Sequence, residues 1–318
     1  MWPWRISIII KLMDPVTSVI ISSHNGARTI RQAIDSALEQ KDVPGDFEVI
    51  VVDDASTDHT AEILRSYGRT LTSIVQPTNC GVSATLNHGV RESRGKYVAF
   101  LHDDDYFRPD KLREAVFALN QVDAVLAFSD YIIIDSETDA SIEVVKFDHA
   151  PELEEMFVKW ECIGPPSSVT VRKEFFNACG GFDERLRWCE DINLWLRLRA
   201  QGSFVHVPRE LTVYRKRSSI RVIDKRYPLE QLLMFERIMR EHFGRRAEGL
   251  IAHARDQRAA MLLGVALHEI DQGRPADAIR TLYELICYRP SYPLRSVPLR
   301  RLVQRHNLSR LARILRIS

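Results

Sequence analysis

The chain has 318 residues, of which 45% are hydrophobic and 27% are charged, and its formal net charge is +1 at pH 7. This composition excludes a disordered or fibrous protein, and the near-zero net charge gives no indication of a nucleic-acid partner. Residues 209–318 carry 23 Lys and Arg against 11 Asp and Glu, whereas residues 1–208 carry 21 against 32. The length and this charge asymmetry predict one large unit followed by a smaller, more basic one.

The cysteines and the N-terminus indicate where in the cell the protein is expected. The five cysteines are irregularly spaced and include no CxxC pair. They favour free thiols in a reducing compartment, and we expect a cytoplasmic protein. Residues 1–15 form an apolar extension that Arg5 and Lys11 interrupt, so it is too short to span a bilayer. A loosely packed extension is expected here, and a shallow membrane contact through Trp2 and Trp4 is the alternative.

Strand and helix patterns alternate in the first part of the chain. Apolar and β-branched runs predict buried strands at residues 17–23, 47–54, 72–77, 96–105 and 123–135. Apolar faces at helical spacing predict helices between them at residues 29–40, 56–68, 81–95 and 109–120. This alternation is typical of an α/β fold with a mostly parallel sheet, whose ligands bind beyond the carboxyl ends of the strands.

The second part of the chain changes character. Segment 140–190 is irregular and is expected to form loops near the binding edge, before a helix at 190–202 and a strand at 203–215. From residue 226 the pattern is helical, and two segments separated by Gly273 predict one tetratricopeptide-like helix pair. We therefore predict an N-terminal extension, a catalytic domain and a helical C-terminal region, at residues 1–15, 16–225 and 226–318.

Acidic side chains follow two of the predicted strands. Asp53 and Asp54 end the second strand, and Asp103, Asp104 and Asp105 end the fourth. Both groups are expected at the binding edge of the sheet. Adjacent carboxylates repel unless a cation binds, and Mg²⁺ usually binds through one or two carboxylates plus substrate phosphates. The alternative is that these acids lie in solvated loops and cap the helices that follow.

Two further features have either a functional or a purely structural role. Glu190 and Asp191 open a predicted helix, where carboxylates are favourable for the helix dipole in any case. Their functional interpretation is a general base that takes a proton from an alcohol. His102 precedes the acids, and it is either a metal ligand or a structural or exposed histidine.

Five segments in order resemble the family 2 glycosyltransferases, whose nucleotide-sugar-binding fold is called GT-A. The resemblance covers roughly residues 16–220, and its segments read TSVIISSHNGARTIRQAIDSALEQ, VIVVDDASTDHTAEIL, NCGVSATLNHGV, GKYVAFLHDDDYFRPDKL and GGFDERLRWCEDINLWLRLRAQG. Three positions depart from the family pattern. Ala55 replaces the usual Gly, Leu86 stands where an Arg often precedes Asn87, and Arg217 replaces a late His. The resemblance implies a GT-A fold, here with a helical C-terminal extension.

The resemblance also implies donor-site residues. Ser22, His24 and Asp54 match positions that hold the nucleotide base and ribose, and Asn87 belongs to another nucleotide-sugar-binding segment. Arg217, or alternatively Lys216 before it, is expected to contact the diphosphate.

The metal and the base follow from the same resemblance. Asp104 matches the direct ligand of Mn²⁺ or Mg²⁺, and Asp103 lies toward the ribose or the metal. Asp191 matches the catalytic base, and Asp105 is expected only to cap the next helix. His102 stands where many family members have the first Asp of the metal motif.

The implied activity is metal-dependent, inverting transfer of a sugar from a nucleotide-diphosphate sugar to a saccharide or lipid-linked acceptor. Such reactions serve cell-surface polysaccharide or glycolipid assembly. A catalytically inactive sugar-nucleotide-binding assembly partner is the alternative, and a nucleotidyltransferase is another, although the first strand lacks a Gly-rich basic loop. Residues 289–318 contain eight arginines and no acid. This basic tail predicts either a peripheral contact with an anionic membrane surface or pairing with the acidic front domain.

Overall fold

A computed structural model describes most of the chain beyond residue 15. The described residues are 16–159, 163–186, 190–216, 227–271 and 273–289. They fall into two compact units. The first contains residues 16–152 and 163–216, and the second contains residues 153–159 and the described residues from 227 onward.

A single mixed sheet forms the centre of the first unit. Its described strands are β1 (Thr17–Ser23), β2 (Phe47–Asp53), β3 (Thr72–Val75), β4 (Tyr97–His102), β5 (Tyr106–Phe107), β6 (Ala124–Asp135), β7 (Ser141–Val145), β8 (Val169–Arg172) and β9 (Ser203–Lys216). They are ordered β3-β2-β1-β4-β8-β6-β9-β5, and β7 pairs with β6.

The parallel part of the sheet was predicted, and the antiparallel part was not. Strands β1 to β4 pair in parallel, as do β6 and β9. Strand β8 lies antiparallel between β4 and β6, and β5 and β7 add antiparallel pairs with β9 and β6. These three strands span only two to five residues, which is too short for a hydrophobic period to identify them.

Helices cover the sheet. They are α1 (Ile30–Leu38), α2 (Thr60–Ser66), α3 (Val82–Glu92), α4 (Lys111–Gln121), α6 (Lys173–Ala178) and α7 (Glu190–Arg199), while α5 (Leu153–Lys159) belongs to the second unit. A buried aromatic cluster connects α7 to β4. Phe100 of β4 lies 5.2 Å from Phe182 and 6.5 Å from Trp195 of α7, measured between ring centroids. This packing fixes the start of α7 relative to the end of β4.

The second unit is helical. It contains α5, α8 (Tyr227–Phe243), α9 (Ala247–Asp271) and α10 (Pro275–Tyr288). Helices α9 and α10 pack through a core that includes Leu263, Ala266 and Leu282, in the segment where a helix pair was predicted. Helix α5 falls inside the predicted catalytic domain, yet it packs here because Phe157 contacts Phe235. No helix in the described part of the chain combines the length and apolar character needed to cross a membrane.

A fully buried lysine gives the first unit a pH-dependent stability. Lys111 Nζ donates to the Ser168 carbonyl at 2.8 Å and lies 3.5 Å from Thr170 Oγ1. Burial lowers the pKa of Lys111 to about 7. The unfolded chain therefore holds a proton that the folded protein has released from about pH 7 upward, so stability rises with pH in that window.

We predict that Lys111→Met removes this rise. Its size is at most about 1.4 kcal/mol per pH unit, the free energy that corresponds to one pKa unit. The measurement is thermal unfolding of wild type and Lys111→Met at about pH 7 and about pH 9. The Tm of wild type should rise more, or fall less, between these pH values than the Tm of the variant. Lys41→Met, at an exposed position, is the control. Parallel Tm profiles of wild type and Lys111→Met would contradict the prediction.

Candidate active site

A cavity of about 450 Å³ lies at the carboxyl ends of the parallel strands. It is bounded by the ends of β1, β2, β4 and β9, the start of α3, the start of α7, and the loop before β8. Its lining residues are Ser22, Ser23, His24, Asp54, Val82, Thr85, His102, Asp103, Asp104, Pro165, Pro166, Glu190, Asp191, Tyr214 and Arg215. The structure thus brings together six sequence-predicted site residues: Ser22, His24, Asp54, Asp103, Asp104 and Asp191.

Asp103 is held by the end of β1. Ser23 Oγ donates to Asp103 Oδ2 at 2.6 Å, and the backbone N–H of His24 donates to the same oxygen at 3.2 Å. Gly26 lies so close that a Cβ atom there would stand 2.2 Å from this oxygen. The carboxylate is only 6% exposed. Asp103 is therefore fixed in one orientation at the cavity wall.

His102 and Asp104 flank this anchored acid. His102 stands directly opposite Ser22 in the parallel pairing of β1 and β4, and a hydrogen bond of 3.0 Å joins Ser22 Oγ and His102 Nδ1. Asp104 is half-buried and lines the cavity. Of the three consecutive acids, Asp103 and Asp104 therefore reach the cavity together.

Asp54 connects the end of β2 to the start of α3. Its Oδ1 accepts hydrogen bonds from Gln76 Nε2 at 2.8 Å and the Cys80 backbone N–H at 2.7 Å, and its Oδ2 accepts one from the Gly81 N–H at 2.8 Å. His24 Nδ1 lies 2.8 Å from the Asp54 carbonyl oxygen. Because a carbonyl only accepts, Nδ1 carries the proton and Nε2 is an acceptor. Hydrogen bonds within the protein therefore fix Asp54 and His24 at this edge of the cavity.

A tight turn follows Asp54. Asp53 Oδ1 accepts the Ser56 backbone N–H at 3.1 Å, so Asp53 stabilises the turn and does not line the cavity. Ala55 has a φ of 55°, in the left-handed region that disfavours a side chain. A Gly at this position, as in the family pattern that the sequence resembles, would adopt this conformation without strain.

The start of α7 brings two further acids, Glu190 and Asp191, to the cavity wall. Asp191 Oδ1 accepts the Ile192 backbone N–H at 2.7 Å. Burial and the neighbouring charge of Asp191 raise the pKa of Glu190 to about 8. Glu190 is therefore neutral at pH 7. Both acids are half-buried and line the cavity, and the sequence resemblance singles out Asp191 as the base.

The raised pKa of Glu190 predicts a pH effect on donor binding. Because Glu190 ionises as the pH rises through about 8, wild type gains a negative charge in the cavity that Glu190→Gln does not. A repulsion of about 1 kcal/mol at an effective dielectric constant of about 20 corresponds to roughly a five-fold rise in KM for an anionic donor. Steady-state kinetics at about pH 7 and about pH 9 measure this rise. The same rise in both proteins would contradict the prediction.

Asp105 does not cap the next helix, contrary to the sequence expectation. It is 1% exposed and does not line the cavity. Its Oδ2 accepts from Ser167 Oγ at 2.5 Å, and its Oδ1 accepts the Arg215 backbone N–H at 2.9 Å. Burial and the charge of Asp104 raise the pKa of Asp105. The expectation was wrong because the partners of Asp105 are distant in sequence.

Two other sequence-predicted residues, Asn87 and Arg217, are not among the described lining residues. Asn87 does not line the cavity: its Nδ2 donates to the Phe182 carbonyl and to Glu184, and its Oδ1 accepts from the Phe182 N–H, each at 2.9 Å. The predicted contact between Asn87 and the nucleotide sugar gains no support from this position. Arg217 lies outside the described residues, so its contact with the diphosphate stays a prediction.

Arg215, which sequence reasoning did not select, lines the cavity. Its Nη2 donates to Gln32 Oε1 at 2.5 Å, its Nη1 pairs with Asp139, and its guanidinium lies 5.7 Å from the Tyr106 ring centroid. Arg215 lies in the same late segment as Arg217. The sequence analysis selected its basic neighbours Lys216 and Arg217 for the diphosphate contact and not Arg215.

The chemistry of the cavity is compatible with a divalent cation. Five of its lining residues carry carboxyl groups and one, Arg215, carries a guanidinium, so a diphosphate would enter a mainly acidic space. The described part of the chain contains no group of three or more His, Cys, Asp or Glu side chains placed to hold a metal ion. One or two carboxylates suffice where phosphate oxygens complete the coordination. Asp104, with Asp103 beside it, offers such a donor set.

Comparison with known sequences finds that part of the first unit is similar to one family. Residues 18–166 match the model of glycosyl transferase family 2. An uncharacterized glycosyltransferase of Rickettsia prowazekii is 32% identical over 192 residues, covering 58% of this chain and 59% of the relative. TuaG of Bacillus subtilis, a glycosyltransferase provisionally assigned to teichuronic acid biosynthesis, is 31% identical over 141 residues, covering 43% and 54%. The chain thus spans less than two thirds of each of these relatives.

Solved structures give the fold independently. TarS of Staphylococcus aureus, residues 1–349 in complex with UDP, superposes with a TM-score of 0.67 at 18% identity, covering 87% of this chain and 85% of that one. The same TarS fragment in complex with UDP-GlcNAc gives a TM-score of 0.66 at 20% identity, covering 86% and 81%. This likeness confirms the predicted GT-A-type fold. The part of the chain that resembles glycosyltransferase family 2 in sequence, residues 18–166, lies within this fold.

Proposed function

We propose that this protein transfers a sugar from a nucleotide-diphosphate sugar to an acceptor hydroxyl, with inversion at the anomeric carbon. One observation supports the proposal most strongly: Asp103 and Asp104 at the end of β4 line the same cavity as Asp191 at the start of α7. The first two acids suit the diphosphate end of the donor, and the third suits the acceptor. No described feature favours an inactive assembly partner or a nucleotidyltransferase over this reaction.

The reaction is a single displacement. The acceptor oxygen attacks the anomeric carbon on the face opposite the diphosphate, so the new carbon–oxygen bond forms as the bond to the leaving phosphate oxygen breaks. Asp191 accepts the proton of the acceptor hydroxyl as a general base. Its deprotonated form is required, and because burial raises the pKa of Glu190 to about 8, protonation of Glu190 at pH 7 reduces the repulsion between the two acids.

The donor is held at the opposite side of the cavity. Ser22, His24 and Asp54 surround the space proposed for the nucleoside. Asp104, assisted by Asp103, would hold Mn²⁺ or Mg²⁺. When bound, such an ion offsets the negative charge that develops on the diphosphate leaving group.

The acceptor and the cellular setting are proposed at a coarser level. The assignment of TuaG favours a cell-surface polysaccharide or glycolipid as the product. The basic tail, on which the proposed membrane contact depends, lies outside the described residues. Its peripheral attachment at the inner face of the membrane and the cytoplasmic location therefore stay predictions.

Thermal-shift screening against a panel of sugar nucleotides with Mn²⁺ tests the donor class. UDP-GlcNAc is the first ligand to test because the related TarS fold has been solved with it. We expect at least one sugar nucleotide to raise the Tm more with Mn²⁺ than without it, since binding to the folded state alone stabilises that state. A panel in which no nucleotide or sugar nucleotide changes the Tm would contradict the proposal.

A further inference from the structure

We propose that Asp105 is a positioning residue that fixes the positions of three walls of the cavity relative to one another. These walls are the loop with Asp103 and Asp104, the Pro165–Pro166 segment, and the end of β9 with Tyr214 and Arg215. The inference rests on the proposed function for its catalytic consequence. Its structural basis does not depend on that function.

The two carboxylate oxygens of Asp105 bind two different walls. Oδ2 accepts from Ser167 Oγ at 2.5 Å, and Oδ1 accepts the Arg215 backbone N–H at 2.9 Å. The backbone N–H of Asp105 donates to the His102 carbonyl at 3.1 Å, within the third wall. The partners are 62 and 110 residues away in sequence, so a single buried side chain connects three distant segments.

Ser167 extends this connection. Its Oγ accepts a hydrogen bond from the His102 backbone N–H at 3.1 Å and donates one to Asp105. The serine therefore makes two hydrogen bonds to the segment that contains Asp103 and Asp104. The Ser167 carbonyl accepts from Thr212 Oγ1 of β9 at 2.9 Å. The two residues before Ser167 are Pro165 and Pro166, which line the cavity. Their position is therefore set by hydrogen bonds from β4 and β9.

Arg215 is the second connected wall. Asp105 holds its backbone, and the Arg215 side chain contacts Gln32 and Asp139. Tyr214, the preceding residue, lines the cavity. The position of the end of β9 therefore depends on the bond to Asp105.

The three consecutive acids thus have three different environments. Asp103 is anchored to β1, Asp104 lines the cavity, and Asp105 points away from it into the protein. A buried carboxylate costs free energy unless hydrogen bonds satisfy it, and breaking such a network leaves groups unpaired. The contacts of Asp105 satisfy it only when all three walls are in place.

Asp105→Asn tests this role because it conserves size while replacing one acceptor oxygen with an amide donor. Hydrogen exchange measured by mass spectrometry should show faster exchange in peptides covering 163–168 and 211–216. The matched control is Asp130→Asn. Asp130 is 3% exposed, accepts two hydrogen bonds, from His206 Nε2 at 2.7 Å and the Phe147 N–H at 3.1 Å, and does not line the cavity. Unchanged exchange of both segments in Asp105→Asn, or the same changes in Asp130→Asn, would overturn the proposal.

Kinetics separate positioning from a merely structural role. A misplacement of about 1 Å can cost on the order of 10²-fold in rate, so we expect kcat to fall by roughly that factor in Asp105→Asn. UDP affinity should change by less than about three-fold, because Ser22, His24 and Asp54 are held by other contacts. Ser167→Ala, which removes one of the two connections, should give a smaller loss.

The outcomes distinguish this inference from the proposed function. If wild type releases nucleoside diphosphate and Asp105→Asn has the same kcat as wild type or as Asp130→Asn, the positioning role is overturned and the function stands. If wild type transfers no sugar from any donor, the function fails. The exchange measurements on 163–168 and 211–216 then still decide whether Asp105 holds the walls together.

Discussion

Asp191→Asn is expected to lower turnover about 10²–10⁴-fold, the usual contribution of a general base, while nucleotide binding stays unchanged. The amide has nearly the same size as the carboxylate but cannot accept the proton of the acceptor hydroxyl. Asp191 lies in the first turn of α7, and the contacts that hold Asp103 come from β1. The donor side should therefore keep its geometry. Measurements of kcat and of the Kd for UDP with Mn²⁺ test the two halves of this expectation.

The adjacent Glu190 provides the control. Glu190→Gln replaces a residue that is already neutral at pH 7 with a neutral residue of similar shape, so its turnover at about pH 7 should stay within a few-fold of wild type. Full activity of Asp191→Asn would show that the base is a different group. Equal losses in both variants would indicate a disturbed helix start and not the loss of a base.

Asp104→Ala is expected to abolish the gain in UDP affinity that Mn²⁺ gives to wild type. Even residues that only orient metal ligands cost about 10–100-fold in metal affinity when changed, so removal of a direct ligand should cost at least about 10-fold. The mainly acidic cavity makes this effect large, because a diphosphate without a cation meets several carboxylates. Calorimetric titration with UDP, with and without Mn²⁺, measures the difference.

Asp123→Ala controls for the loss of one negative charge, since Asp123 is exposed and outside the cavity. It should retain the full Mn²⁺-dependent gain. The metal role of Asp104 would be wrong if Asp104→Ala bound UDP as wild type does, both with and without Mn²⁺.

The parallel part of the fold could be predicted from the sequence because its strands are continuous apolar runs. Strand β1 was predicted at its observed limits, Thr17–Ser23, since all seven residues are buried and turn residues follow. Strand β8 was missed because its four residues follow a Pro-Pro turn and lead directly into α6. Helix α5 was not predicted, because segment 140–190 is irregular, and a tertiary contact of Phe157 with Phe235 shows where it packs.

Some residues of the candidate site could likewise be predicted from the sequence, and others could not. Ser22, Asp54 and Asp104 could be predicted because parallel strands deliver their carboxyl ends to one edge, and the acids directly follow apolar runs. Asp105 could not be assigned, because its role depends on partners in segments far along the chain. Arg215 was missed because a cationic side chain in a strand gives no local sign of the cavity that it faces.

The anomeric configuration of the product tests the proposed chemistry most directly. Proton NMR of the glycoside formed from the donor that binds, recorded at early times with Mn²⁺, gives this configuration. A single displacement assisted by Asp191 predicts that the product has the configuration opposite to that of the donor. Retention of the donor configuration would contradict the single displacement and, with it, the role of Asp191 as the base that activates the acceptor.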